Sequence, residues 1–157
     1  MVALLRAAGI KGWKRHVEVR IPIYDLRVGK RKVASRIAKS DLRRKAEAVR
    51  SAKLKLRPFK VRPDFVWRRE RVALFVDGCF WHGCPWHGTK PASNKSFWQT
   101  KLMRNRERDR LVSRTLRKAG WRVVRVWEHV LAKAARDEGE MERLVGRIRK
   151  GLNHGIR

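Results

Sequence analysis

The feature that most restricts how this chain can fold is a set of four residues, Cys79, Cys84, His87 and His129. The first three sit in the phrase Val76-Asp77-Gly78-Cys79-Phe80-Trp81-His82-Gly83-Cys84-Pro85-Trp86-His87 with the spacing C-x4-C-x2-H. His129 follows after a gap long enough for the chain to fold back. Two thiolates and two imidazoles satisfy a tetrahedral Zn²⁺. Four protein ligands leave no open position for water, so such a zinc is structural and catalysis has to come from other residues. The competing reading is a Cys79–Cys84 disulfide, which leaves two histidines at ligand spacing unexplained.

A chain of 157 residues suits one compact domain, expected over 1–157. An apolar fraction of 43% and seven Trp argue against disorder, although 36% of the residues are charged. The net charge of +28 draws polyanions, of which nucleic acid is the usual one, with affinity that falls steeply as salt rises. The bland alternative is a generic solvated basic face. No apolar run near the N-terminus has the length of a signal peptide or membrane helix. The expected setting is therefore the cytoplasm, without a membrane partner and with thiols reduced.

Residues 2–9 read as the last turns of a helix ending at Gly9, whose start is either missing or was never there. Val17, Val19, Ile21 and Ile23 alternate with polar neighbours, as in a half-buried or edge strand. Residues 33–56 are rich in Lys, Arg and Ala and predict a basic helix. Asp64–Trp67 and Val72–Val76 are β-prone runs joined by the polar turn Arg68–Arg71, and the continuous apolar character of the second predicts a central strand covered on both faces. A long helix is expected over 95–119, stopped by Gly120, with Leu102, Leu111, Val112, Thr115, Leu116 and Ala119 inward. Trp121–Trp127 is a third strand, and Asp137–Lys150 a last helix with Met141, Leu144, Val145 and Ile148 as its inner stripe. Strands flanked by helices make a small α/β sandwich.

Asp64 opens one strand and Asp77 closes the next, so in a hairpin both fall at its open end. Two carboxylates there suit a hard cation such as Mg²⁺, which polarises a phosphodiester. The alternative is that Asp77 caps the turn before Gly78 and Asp64 pairs with a nearby arginine. His82 is left over from the cysteine cluster and is either a proton relay or a fifth zinc ligand. Phe80, Trp81 and Trp86 are flat apolar groups in a polar loop; they either wedge between base pairs or pack the zinc knuckle.

Arg62-Pro63-Asp64-Phe65, Val76-Asp77-Gly78-Cys79-Phe80-Trp81-His82, Phe97-Trp98, Asn105-x-x-Arg108-Asp109, Gly120-Trp121-Arg122-Val123 and Trp127-Glu128-His129 occur in that order. This series closely resembles the very-short-patch-repair endonucleases, bacterial enzymes of the restriction-endonuclease-like superfamily that nick one strand beside a T:G mismatch. The resemblance covers about 62–131 and reaches weakly back to Leu4–His16. It implies a restriction-endonuclease-like core, a small central mixed sheet flanked by helices, with a structural zinc site and a basic helical insertion. Asp64 then matches a metal-binding catalytic aspartate, and the Val76 carbonyl a second Mg²⁺ contact. Asp77 stands where some members have histidine. His82 matches a histidine near the scissile phosphate, and Asp109 an acid that supports it. Phe80, Trp81 and Trp98 match aromatics that intercalate next to the mismatch, and Cys79, Cys84, His87 and His129 fall on the structural zinc site.

Two departures accompany the resemblance. Family members carry an acid in an N-terminal helix; position 2 here is Val, leaving Glu18 or Glu47 as substitutes. Relatives also pass from the Gly12–His16 block almost directly to Arg-Pro-Asp-Phe, whereas this chain places a basic insertion at 18–60. That insertion reads as a DNA-gripping arm, a partner-binding element or a plain solvated helix. The function implied is a Mg²⁺-dependent endonuclease nicking double-stranded DNA in mismatch repair, acting as a monomer in a bacterial cytoplasm. The alternatives are a catalytically inactive zinc-containing DNA-binding protein, a nuclease subunit of a larger DNA-processing complex, and an RNA-binding protein of a ribonucleoprotein.

Overall fold

The computed structural model describes residues 1–22, 58–88 and 91–153. In chain order these form α1 (Val2–Ala7), β1 (Lys14–Arg15), β2 (Val19–Ile21), β3 (Phe59–Val61), β4 (Phe65–Trp67), β5 (Val72–Asp77), α2 (Lys95–Lys118), β6 (Arg122–Trp127), α3 (Glu128–Ala134) and α4 (Glu138–Asn153). The basic helix expected over 33–56 lies outside the described residues.

The main sheet runs β1-β4-β5-β6. β4 and β5 form the expected hairpin, antiparallel with Phe65 opposite Leu74 and Trp67 opposite Val72. Arg71 takes a left-handed φ of 52° in its turn. β6 then lies parallel to β5, with Val72 beside Arg122 and Asp77 beside Trp127. A parallel neighbour needs a long crossover, which the 24-residue α2 supplies. The sheet is therefore mixed, and β5 is its buried interior strand, with Val72, Ala73 and Leu74 fully inaccessible.

Alternation along the strands divides the core in two. Phe65, Trp67, Val72, Leu74 and Val126 face one way, against Leu5 of α1, Ala134 of α3, and Leu144, Val145 and Ile148 of α4. Val66 and Ala73 face the other way, against Leu116 of α2 and against Val19, Ile21 and Val61 of the β2–β3 ribbon. That ribbon is antiparallel, with Val19 opposite Val61 and Ile21 opposite Phe59. The two ends of the range read as an insertion thus pair with each other.

The inner stripe of α4 is as expected, and Asp137 caps the helix by accepting from the Glu140 N–H at 2.9 Å. One expectation fails. Leu111 of α2 is 52% exposed, whereas Thr115 and Leu116 of the expected face are buried and Ser113 joins them. α3, β1 and β3 were not foreseen; each is too short to leave a periodic signal. Among the described residues no helix is long and apolar enough to cross a membrane.

Leu116 is fully buried where α2 meets the sheet. Leu116→Ala should remove about 2–5 kcal/mol of stability by leaving a cavity there. Urea unfolding reads this directly, and a loss below about 1 kcal/mol would mean that α2 is not anchored at this point.

Candidate active site and metal centre

The β5–α2 loop and the start of α3 meet at one end of the sheet and bring together the four residues singled out by spacing. Cys79, Cys84, His87 and His129 place one ligand atom each within 4.8 Å of one another. Cys79 Sγ lies 3.1 Å from His129 Nδ1. Cys84 Sγ lies 3.6 Å from the same nitrogen and 3.8 Å from His87 Nδ1. A tetrahedral ion at ordinary Zn–S and Zn–N lengths separates its ligands by roughly 3.3–3.8 Å, so a four-coordinate metal fits this donor set. Both cysteines are free and buried; the disulfide alternative is not what the fold makes.

The first α3 residues hold the loop from below. Glu128 Oε1 accepts the Cys79 N–H at 2.8 Å, and the Trp127 ring stacks on His129 at 6.3 Å. Burial pushes the Cys79 thiol above its ordinary value, opposed by its hydrogen bond with His129. Burial also pushes the His129 imidazole down, helped by the neighbouring His87. An imidazole held neutral is a ready ligand, whereas the thiol requires the metal's charge to ionise.

Asp64 and Asp77 both lie at this end of the sheet but engage different partners. Asp64 Oδ2 accepts the Val76 N–H at 2.8 Å, while its Oδ1 is 4.0 Å from His16 Nδ1 and the side chain is 35% exposed. Within an extended strand the N–H and C=O of one residue point to the same edge, so the Val76 carbonyl also faces the Asp64 strand. Asp77 is buried and is gripped by Arg125 of β6, whose Nε donates to Oδ2 at 2.7 Å and whose Nη2 donates to Oδ1 at 2.5 Å. Asp77 is thus paired with Arg125 through one hydrogen bond to each of its oxygens, while Asp64 faces the Val76 backbone, so the two carboxylates do not converge on each other here.

Arg125 also reaches Asp109 Oδ1 at 3.3 Å and Ser113 Oγ at 3.4 Å. Asp109 in turn makes a close hydrogen bond with His82 Nδ1, and Asp77 Oδ1 stands 3.9 Å from the same nitrogen. His82 is therefore not a fifth ligand of the cysteine cluster; its Nδ1 is committed to carboxylate, leaving Nε2 as its free nitrogen. Burial would lower the Arg125 guanidinium, but the hydrogen bonds and charge of Asp77, then of Asp109, outweigh it and hold the group above its ordinary value. These residues floor an open cleft of about 860 Å³ bounded by Arg106, Arg110, Arg114, Arg117 and Lys118 of α2.

The aromatics gather at the other half of α2. Phe80 packs edge-on to Trp81 at 5.1 Å and to Trp98 at 5.3 Å. Trp81 remains 49% exposed and Phe97 60%. Trp86 lies apart from them, edge-on to His129 at 6.3 Å. The loop's shape depends on Gly83, which has a φ of 65° and on which a Cβ would meet the Arg106 guanidinium at 2.7 Å.

Sequence reasoning missed Arg125 and His16. Arg125 is one of many arginines in a basic chain, and only its position opposite Asp77, 48 residues earlier, sets it apart. His16 carries a positive φ of 49°, unusual outside glycine, but that is a property of the folded backbone. Of the acids offered as substitutes, Glu18 is held by Arg20 at 2.7 Å and by Lys60 at 3.8 Å, which keeps its carboxyl below the ordinary value, the Arg20 hydrogen bond foremost. Glu47 lies outside the described residues.

A mixed α/β fold with a Cys/His cluster beside a histidine–carboxylate–arginine cleft is the class of protein this geometry defines. Residues 30–90 match the family described as DNA mismatch endonuclease Vsr; the match begins inside the range read as an insertion. The chain is 53% identical over 70 residues to the type II nicking enzyme V.NaeI of Lentzea aerocolonigenes, covering 45% of this chain and 42% of that protein. It is 43% identical over 86 residues to the DNA mismatch endonuclease Vsr of Escherichia coli strain K12, covering 53% and 55%. With the type II nicking enzyme V.NmeDIP of Neisseria meningitidis serogroup C it shares 38% over 94 residues, covering 59% and 64%. The chain thus spans about half the length of the curated relatives it matches. The resemblance to the very-short-patch-repair family carried by the sequence blocks holds in these comparisons.

Proposed function

We propose that this chain is a Mg²⁺-dependent endonuclease that nicks one strand of double-stranded DNA at or near T:G mismatches, built on a restriction-endonuclease-like core with one structural zinc. The observation that carries the reading is that Val76, which holds Asp64, directly precedes Asp77, which stands 3.9 Å from the His82 ring paired with Asp109, so both pairs sit at the same end of β5. The similarity to nicking and mismatch endonucleases supports it.

Asp64 and the Val76 carbonyl would hold Mg²⁺. Asp64 fits this task because Oδ2 is oriented by one backbone N–H while Oδ1 faces partly open space. The ion would supply positive charge against a phosphodiester oxygen and a lowered pKa for a coordinated water. His82, fixed through Nδ1 by Asp109, presents Nε2 to donate to a phosphate oxygen or exchange a proton during hydrolysis. Asp77 belongs to this reading as the buried anion that holds Arg125 in place. Phe80, Trp81 and Trp98 would enter the base stack, and the cationic surface would hold the backbone. Zn²⁺ on Cys79, Cys84, His87 and His129 would fix the loop that carries His82.

The test is nicking of supercoiled plasmid and of T:G duplexes by wild type and Asp64→Ala, with Mg²⁺ or chelator. Expected are Mg²⁺-dependent nicking by wild type, faster at T:G than at paired DNA, and activity at background for Asp64→Ala with binding retained. An Asp64→Ala protein that nicks at the wild-type rate sinks the assignment. Tight binding without cleavage by either protein would identify the inactive DNA-binding alternative instead.

A further inference from the structure

The cleft beside His82 continues along α2 as a row of cations. Arg106, Arg110, Arg114 and Arg117 lie four, four and three residues apart and, at 100° per residue, fall within roughly 80° of the helix circumference. Lys118 extends the row, and all five are exposed. Among the described residues none of the five has an ion-pair partner. The aspartates on the cleft floor do not neutralise them, because both are engaged by Arg125. Like charges at i, i+4 destabilise a helix, so the stability of α2 does not account for the row.

We propose that this row is the binding track for the phosphodiester backbone of a single DNA strand, on one side only of the phosphate presented to His82. The placement of that phosphate rests on the nuclease reading above; the track itself does not. Successive cations stand about 6 Å apart along the axis and the row is about 17 Å long, steps close to the contour spacing of neighbouring phosphates. Four of the five are arginines, whose planar fork binds phosphate oxygens in pairs. The one-sidedness comes from what else α2 carries. Toward its N-terminus the same face carries Gln99 and Lys95, and Trp98 beside them joins the Phe80–Trp81 cluster, so beyond His82 in that direction a strand meets aromatic faces and a single cation rather than a row of them.

The test measures binding of the full chain in magnesium-free buffer to a T:G duplex, as a function of salt. Arg110→Gln with Arg114→Gln should reduce the slope of log K against log salt by about 1.8, a loss of about 60-fold at 0.1 M salt for lines that meet at 1 M. Lys133→Gln with Arg136→Gln removes the same charge from the opposite face of the sheet and should leave the slope within about 0.5 of wild type. Neutral methylphosphonates at three consecutive linkages should weaken wild-type binding on one flank of the nick and not on the other, and the α2 variant should no longer sense them. An unchanged slope in the α2 variant overturns the track, as does an equal drop in the opposite-face control. Equal sensitivity on both flanks overturns its one-sidedness. The predicted binding pattern with no nicking would fail the nuclease reading and leave the track standing, while nicking with an unchanged slope would fail the track alone.

Discussion

On the zinc reading proposed above, Cys84→Ser is expected to abolish zinc binding and to lower the thermal midpoint by about 10 °C or more. Cys84 Sγ faces both His129 and His87, and a serine hydroxyl is a poor donor for this ion, so one substitution opens the whole site. Structural zinc contributes on the order of 10 kcal/mol in small metal-folded units. Even a loss of about 4 kcal/mol shifts the midpoint of a chain this size by about 8–16 °C. The damage should be local first, because an ion on these ligands would join the loop after β5 to the start of α3, and that loop carries His82. Mass spectrometry of the native protein should find one zinc per wild-type chain and none in the variant. A metal-free variant with the wild-type midpoint would sink the structural role.

The same site has a defined pH dependence. Without metal, burial raises the Cys79 thiol. A raised pKa means that the neutral form is favoured by the fold, a contribution present below the unfolded value and lost as pH climbs through the folded one. Zinc requires the thiolate, so binding expels protons and affinity should rise steadily from about pH 6 to about pH 8. Affinity that is flat over that window would mean that the cysteines are not the ligands.

Arg125→Ala should cost about 3–5 kcal/mol. The substitution leaves Asp77, whose side chain is only 6% exposed, as a buried charge with no cation, and breaking one side of a buried pair is costly for that reason. It also frees Asp109, so the His82 ring loses the support that orients it. Stability measured by urea unfolding should fall by that amount, with nicking reduced even under conditions where the variant is fully folded. Arg125→Lys separates the two effects: the charge stays and much of the stability with it, but the fork geometry goes and the His82 support with it. A stable, fully active Arg125→Ala protein would show that the network is incidental.

The Cys/His cluster was legible in the sequence because ligand spacing within a loop is local and the donor chemistry leaves few alternatives. The β4–β5 hairpin was legible for a similar reason: two apolar runs around a polar turn have few ways to pair. The stripe of α4 was readable, but that of α2 was misjudged at Leu111, since a helix rich in arginine on several sides has no sharply defined apolar face. Asp64, Asp77, His82 and Asp109 were identifiable as residues and the resemblance implied that Asp109 supports His82, whereas the pairing of Asp77 with Arg125 was not legible. Hydrogen bonding of a carboxylate to the next strand's backbone, as Asp64 does to Val76, depends on register that no composition carries.

By itself the sequence determined the Cys/His cluster, the hairpin, the long helix after it and the family resemblance, all of which are written in short contiguous stretches. Only the tertiary structure decided that β6 runs parallel to β5, that Arg125 rather than a cation from solution answers Asp77, and that the arginines of α2 flank one cleft. The reason is physical. Periodicity and ligand spacing act over a few residues, whereas each of these outcomes depends on two segments tens of residues apart arriving at one face of the sheet.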